Sequence, residues 1–146
     1  DWRRYLNYRT RSALALRLLA AGSAGPDKQQ LRLGGPDTFR GADYGTLLGS
    51  RAVLGNAEVR FPIIPTTELL RGVVFVDAAT VWWEDYPPTL TTSSGPLGFR
   101  LQDLRLAFGF GFRAFVGLPL RIDFAIPTNL DTHGDMRTLF AIGWDY

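Results

Sequence analysis

Leu104-Arg105-Leu106-Ala107-Phe108-Gly109-Phe110-Gly111-Phe112-Arg113-Ala114-Phe115-Val116 alternates along its whole length. The even positions are Leu104, Leu106, Phe108, Phe110, Phe112, Ala114 and Val116. The odd positions are Arg105, Ala107, Gly109, Gly111, Arg113 and Phe115. A period of two belongs to a β-strand, whose successive side chains point to opposite faces. A soluble sandwich would bury the apolar face and show Lys, Thr, Ser and Glu to water. Here the polar face is built of small residues and charges, which suits a crowded, wet interior. Apolar-out and polar-in is the pattern of a transmembrane β-barrel.

Neighbouring segments repeat it. Leu118, Leu120, Ile122, Phe124 and Ile126 oppose Arg121, Asp123 and Ala125. Phe140, Ile142, Trp144 and Tyr146 oppose Leu139, Ala141, Gly143 and Asp145. Ser12 to Ala20 sets Leu14, Leu16 and Leu18 against Ala13, Ala15 and Arg17. Arg51 to Ile63 sets Val53, Ala57, Val59, Phe61 and Ile63 against Asn56, Glu58 and Arg60. Leu70 to Trp83 is more evenly apolar, with Arg71 and Asp77 sharing one face, and Trp2 to Tyr8 is short, aromatic and arginine-rich. Seven strands and no helix are expected, several of them at or above the roughly 9–11 residues that cross a bilayer when tilted.

The connections alternate in length. They are short at Arg9 and Thr10, long over 22–50, short over 65–68, long over 84–102, minimal at Gly117 and intermediate over 128–134. Outer-membrane barrels have short periplasmic turns and long extracellular loops. Trp2, Trp82, Trp83 and Trp144 fall near predicted strand ends, where aromatic girdles lie at the two interfaces. With the short turns on the periplasmic side, Tyr146 ends there too.

Composition sets outer bounds. At 146 residues and 46% hydrophobic, the chain is no disordered tail, and its length suggests one domain or a piece of a larger one. No cysteine is present, which excludes disulfides and thiolate metal sites. A formal charge of +2 is too weak to argue for nucleic acid. All the cations but Lys28 are arginine, which suits fixed ion pairs on a structured wall. No run of 18 apolar residues offers a transmembrane helix, and no signal peptide heads the sequence. Beginning at Asp1, it reads as a processed or trimmed piece from which targeting signals can be missing.

Few residues suggest chemistry. The longest loop contains Gly34-Gly35-Pro36-Asp37-Thr38-Phe39-Arg40-Gly41, but no Gly-Lys-Ser/Thr and no helix follow, so it does not cradle phosphate. Arg40 sits between an aromatic and a glycine, and Glu58 and Asp77 lie on the polar faces of the next two strands. If the loop folds back into the barrel, Arg40 can pair with either acid. Such a pair would fix the loop's position more than add stability. The alternative leaves Arg40 as an ordinary loop arginine, with the acids paired to Arg60 and Arg71. His133, the lone histidine, lies in a turn-like segment and cannot by itself support a triad. No catalytic residue, metal ligand or cofactor is expected, and the chain is not read as an enzyme.

The ordered set LGGPDTFRGADYG, NAEVRFPI, GVVFVDAATVWW, LAFGFGFRAF, GLPLRIDFAIP and FAIGWDY resembles the C-terminal half of barrels of the BamA/TamA outer-membrane assembly superfamily. That group includes the bacterial surface antigen barrels and the two-partner secretion transporters. The resemblance covers nearly the whole chain. It implies a sixteen-stranded antiparallel transmembrane β-barrel, of which residues 1–146 form the C-terminal part of one domain. The rest of the barrel comes from residues outside this sequence or from other chains. It also implies that the long loop at 22–50 folds into the lumen, with Phe39, Arg40 and Gly41 as its tip motif and Glu58 and Asp77 as partners. The family has an aromatic where Ala42 stands, for which Tyr44 is the candidate substitute, and a glycine where Ala79 follows Asp77-Ala78.

The functional expectation is an outer-membrane protein that inserts or translocates other proteins without nucleotide. Its partners would be membrane lipid, client outer-membrane or secreted proteins and accessory assembly subunits, with no nucleic acid. The last strand, Met136 to Tyr146, would form one side of a weakly zipped seam, with Phe140, Ile142, Trp144 and Tyr146 as the C-terminal strand signal. The alternatives are a passive pore, a membrane-anchoring barrel fused to another domain such as a lipase, or a two-partner-secretion transporter. A soluble, lectin-like β-sandwich is the reading furthest from the alternation.

Overall fold

The structure, a computed structural model, describes residues 1–9, 11–25, 27–64, 66–67, 69–85, 96–129 and 132–143. Seven long strands form it: β1 (Trp2–Arg9), β2 (Ser12–Gly22), β5 (Arg51–Pro62), β6 (Leu70–Trp82), β7 (Arg105–Phe115), β8 (Pro119–Asn129) and β10 (Arg137–Ile142). The short β3 (Leu31–Leu33) and β4 (Leu47–Gly49) pair with each other in the long loop. The two-residue β9 (Thr132–His133) extends the β8 edge. Leu101–Asp103 makes a single 3₁₀ turn, and no α-helix occurs among the described residues.

The long strands pair antiparallel in the order β1-β2-β5-β6-β7-β8-β10, so chain neighbours are sheet neighbours throughout. The sheet is open between β1 and β10 among the described residues. Residues directly opposite across antiparallel strands share a face, and the register sorts the polar face into rows. One row runs Arg17, Asn56, Asp77, Ala107, Pro127. The next runs Ala15, Glu58, Phe75, Gly109, Ala125, Arg137, and a third Ala13, Arg60, Val73, Gly111, Asp123, Leu139. Nearest the short turns, Arg71, Arg113, Arg121 and Ala141 are aligned.

Burial inverts the soluble pattern. Val74, Val76, Phe108, Phe110, Phe112 and Ile122 are exposed, while Asp77, Asn56, Glu58, Arg121 and Asp123 are buried. The buried apolar residues lie mainly between the polar face and the loop folded onto it. Leu33, Phe39 and Ala42 of the loop pack against Leu54, Ala79, Val81 and Ala107 of the wall. A smaller cluster joins Val73, Phe75 and Ala125. Gly111 has a steric reason: a Cβ there would fall on the Asp123 carboxylate.

Three details depart from the sequence reading. β3, β4 and β9 went unforeseen because two or three residues carry no measurable period. β8 continues to Asn129, since Pro127 does not end it and its carbonyl accepts a hydrogen bond from Gly134. Trp83 does not join an outer girdle: it is 1% exposed, and its backbone pairs with Pro96 and Gly98 just beyond β6. Trp2 is exposed at the start of β1, and Trp82 meets Phe99 edge-on at 5.3 Å. The last described strand stops at Ile142, and Trp144 and Tyr146 lie outside the described residues.

Candidate functional site: a docked arginine loop

The loop is shaped before it meets the wall. Gly34 and Gly35 take φ of 122° and 93°, a region open to glycine, and turn the chain after β3. Thr38 Oγ1 accepts from Gly34 N–H at 2.9 Å and donates back to the Gly34 carbonyl at 3.0 Å. Gly35 N–H is shared between the carbonyls of Phe39 and Ala42 at 3.1 and 3.0 Å. This closed turn pushes Phe39-Arg40-Gly41 against the polar face. Phe39 fills the apolar patch beside Ala107, and a Cβ at Gly41 would lie 2.6 Å from the Phe39 ring and 2.9 Å from Ala107.

Arg40 is 1% exposed and meets three strands. On β6, its Nε and Nη2 donate to Asp77 Oδ2 and Oδ1 at 2.8 and 2.7 Å, a fork-to-fork pair, and its backbone N–H reaches Oδ2 at 3.2 Å. On β5, its Nη1 donates to Glu58 Oε2 at 2.7 Å. On β8, the same nitrogen lies 3.8 Å from Asp123 Oδ2. Its guanidinium also sits 3.4 Å over the centroid of Phe75, a cation–π contact. Asn56 donates to both Asp77 Oδ1 and the Thr38 carbonyl, at 2.8 and 2.9 Å, tying wall to loop.

The carboxylates are shared with the wall. Glu58 Oε1 accepts from Arg60 Nε at 2.7 Å, and Asp123 Oδ1 accepts from Arg113 Nη1 at 2.6 Å. Arg40, Arg60 and Arg113 thus face Glu58, Asp77 and Asp123, three charges against three. Buried charges are tolerable when paired and hydrogen-bonded in this way, and costly when not. Further ties fasten the loop. Arg17 Nη1 of β2 donates to the Asp37 carbonyl at 2.8 Å, and Arg121 of β8 pairs with the Asp37 carboxylate. Arg137 of β10 donates to Asp43 Oδ2 at 2.8 Å and to the Gly41 carbonyl at 3.4 Å.

The structure therefore brings Phe39, Arg40, Gly41, Glu58 and Asp77 together, with Glu58 serving Arg40 and Arg60 at once. Phe140 and Ile142 stand apart from this cluster, exposed on the apolar face of β10. Tyr44 does not replace the buried aromatic: it is 82% exposed, while Ala42 is buried beside Phe39. Asp37, Asn56, Arg113, Asp123, Arg121 and Arg137 were missed as partners. The alternation had placed Asn56, Arg121 and Asp123 on the polar face, but which residues meet depends on register between strands. His133 is exposed at the β8–β9 tip, and no His, Asp or Glu group is placed to hold a metal among the described residues.

A family profile described as the Omp85 superfamily domain matches residues 4–143, which is nearly the whole chain. The chain belongs to the Omp85 superfamily. The open antiparallel sheet is thus part of an Omp85 transmembrane β-barrel. Its exposed face is apolar, and the opposite, polar face is covered by the loop. Omp85 proteins are outer-membrane barrels that insert or secrete proteins, and they do so as transport and assembly proteins, not as enzymes. They work among membrane lipid and client outer-membrane proteins. No curated protein matches the chain.

Proposed function

We propose that this protein is a BamA-like assembly factor of the bacterial outer membrane, which inserts client β-barrel proteins with the help of accessory subunits. The docked Arg40 loop carries the reading. A barrel that only anchors another domain gains nothing from a long loop ion-paired across β5, β6 and β8, because buried pairs of this kind add little stability. They do hold a loop in one place. In this reading Phe39, Arg40, Gly41, Glu58 and Asp77 lock the loop inside the lumen and keep the passage shaped for a client.

The second element is β10. Phe140 and Ile142 lie on its exposed apolar face, and a barrel that closes here through a weakly paired seam leaves the far edge of the last strand open for part of the time. An open edge presents backbone donors and acceptors to which a client strand can add. The C-terminal strand signal, Phe140, Ile142, Trp144 and Tyr146, then marks one side of the seam. The test is insertion of an unfolded outer-membrane protein into vesicles carrying the full-length protein. Arg40→Ala is expected to slow insertion severalfold and to open the loop to protease. Normal insertion together with a loop that protease does reach would sink the reading.

A further inference from the structure

Toward the short turns, the polar face changes character. Arg71, Arg113 and Arg121 stand directly opposite one another across β6, β7 and β8. Arg60 of β5 lies one row away. Like charges opposed across strands destabilise a sheet, so this row is retained at a cost. The carboxylates that answer it come from the wall itself, at Glu58 of β5 and Asp123 of β8, and from the loop, at Asp37. Glu58 holds Arg60 at 2.7 Å, Asp123 holds Arg113 at 2.6 Å, and Asp37 holds Arg121. On their other side the same four arginines line a cavity of about 410 Å³. Its remaining wall is largely apolar, including Leu69, Phe115 and Pro119, and no Asp or Glu stands among its described lining residues.

We propose that this cavity binds a carboxylate-bearing segment of an extended polypeptide entering the barrel from the short-turn end. The proposal rests on the assembly reading above and names what the lumen would hold of a client. Guanidinium forks match carboxylates in shape as well as charge. The cavity opens on the face turned into the barrel, away from the apolar face, so the surrounding bilayer does not supply its occupant. The apolar half of its wall suits a hydrophobic side chain next to the acid and has no use for a bare inorganic ion. Its volume falls within the range of sites that take small ligands, about 300–1,000 Å³.

The test uses detergent-solubilised full-length protein and fluorescence anisotropy. The probes are a short peptide with Asp and Glu between Leu and Phe, and its twin with Asn and Gln. The acidic peptide is expected to bind about tenfold or more tightly than its amide twin, because charged hydrogen bonds are the stronger ones, and to weaken as salt rises. Arg71→Gln should weaken the acidic peptide about tenfold, with Arg71→Lys in between, since lysine keeps the charge and loses the fork. Equal binding of the two peptides, or unchanged affinity in Arg71→Gln, overturns the proposal. The peptide comparison needs no variant and stands even where Arg71→Gln fails to fold. Inorganic phosphate that displaces the peptide at equal concentration shows a simple anion site and also overturns it. Insertion without acidic-peptide binding removes this inference alone; peptide binding without insertion removes only the assembly reading.

Discussion

Arg40 shows how one side chain can require arginine and not simply a positive charge. Its fork meets both Asp77 oxygens, its third nitrogen meets Glu58, and its plane lies on Phe75. Lysine would present a single point of charge to contacts arranged for a plane. Arg40→Lys is therefore expected to behave more like Arg40→Ala than like the native protein. Removing one member of a buried pair costs about 3–5 kcal/mol, because the partners are left charged and unmatched. Chemical unfolding of the full-length protein in detergent should show a large fraction of that loss for both variants. A lysine variant as stable as the native protein would show that the fork geometry does not matter.

At the scale of strands, the wall divides into an exposed apolar face and a polar face covered by the loop, and substitutions should follow that division. Phe110 lies mid-way along β7 on the exposed face, stacked on Phe124 at 5.1 Å, while Leu106 stands on the same face near the start of the strand. An arginine on the lipid face costs about 2–4 kcal/mol at the bilayer midplane and about 0–1 near the interface. Phe110→Arg should thus destabilise the barrel in vesicles markedly more than Leu106→Arg, as read by denaturant unfolding. Equal effects would place β7 at a different depth or off the lipid. This division was legible in the sequence, because alternation over eleven residues of β7 leaves little choice of face. So were the seven strands and the suspicion that Arg40 seeks Glu58 or Asp77. The companions Asp123, Arg113 and Arg137 were not. Their meeting depends on strands pairing in a particular register and on a loop returning across many residues, and neither leaves a mark in a local pattern. The short β3–β4 hairpin was invisible for the same reason.

For the whole molecule, the exposed apolar face and the ion-paired interior predict a protein that needs an amphiphile around it and resists unfolding inside it. The full-length protein should require detergent for solubility. It should also run faster on a gel before heating than after, because a closed barrel stays compact until heated. A monomer stable in plain buffer, with no change in migration on boiling, would contradict the membrane face assigned to Phe108, Phe110 and Phe112.

The loop also acts as a cross-brace. It is tied to β2 through Arg17, to β5 and β6 through Glu58 and Asp77, to β8 through Arg121, and to β10 through Arg137. A wall that widens or narrows must stretch these ties together, so the loop resists a change in the curvature of this part of the wall. The ties differ in strength. The Arg40 pairs are sealed from water, whereas the Arg137–Asp43 pair is open to it, with side chains 35% and 72% exposed. Exposed pairs contribute little and yield first. Under strain the brace should let go at β10 and hold at β5 and β6, so the last strand can swing while the rest of the wall keeps its curvature.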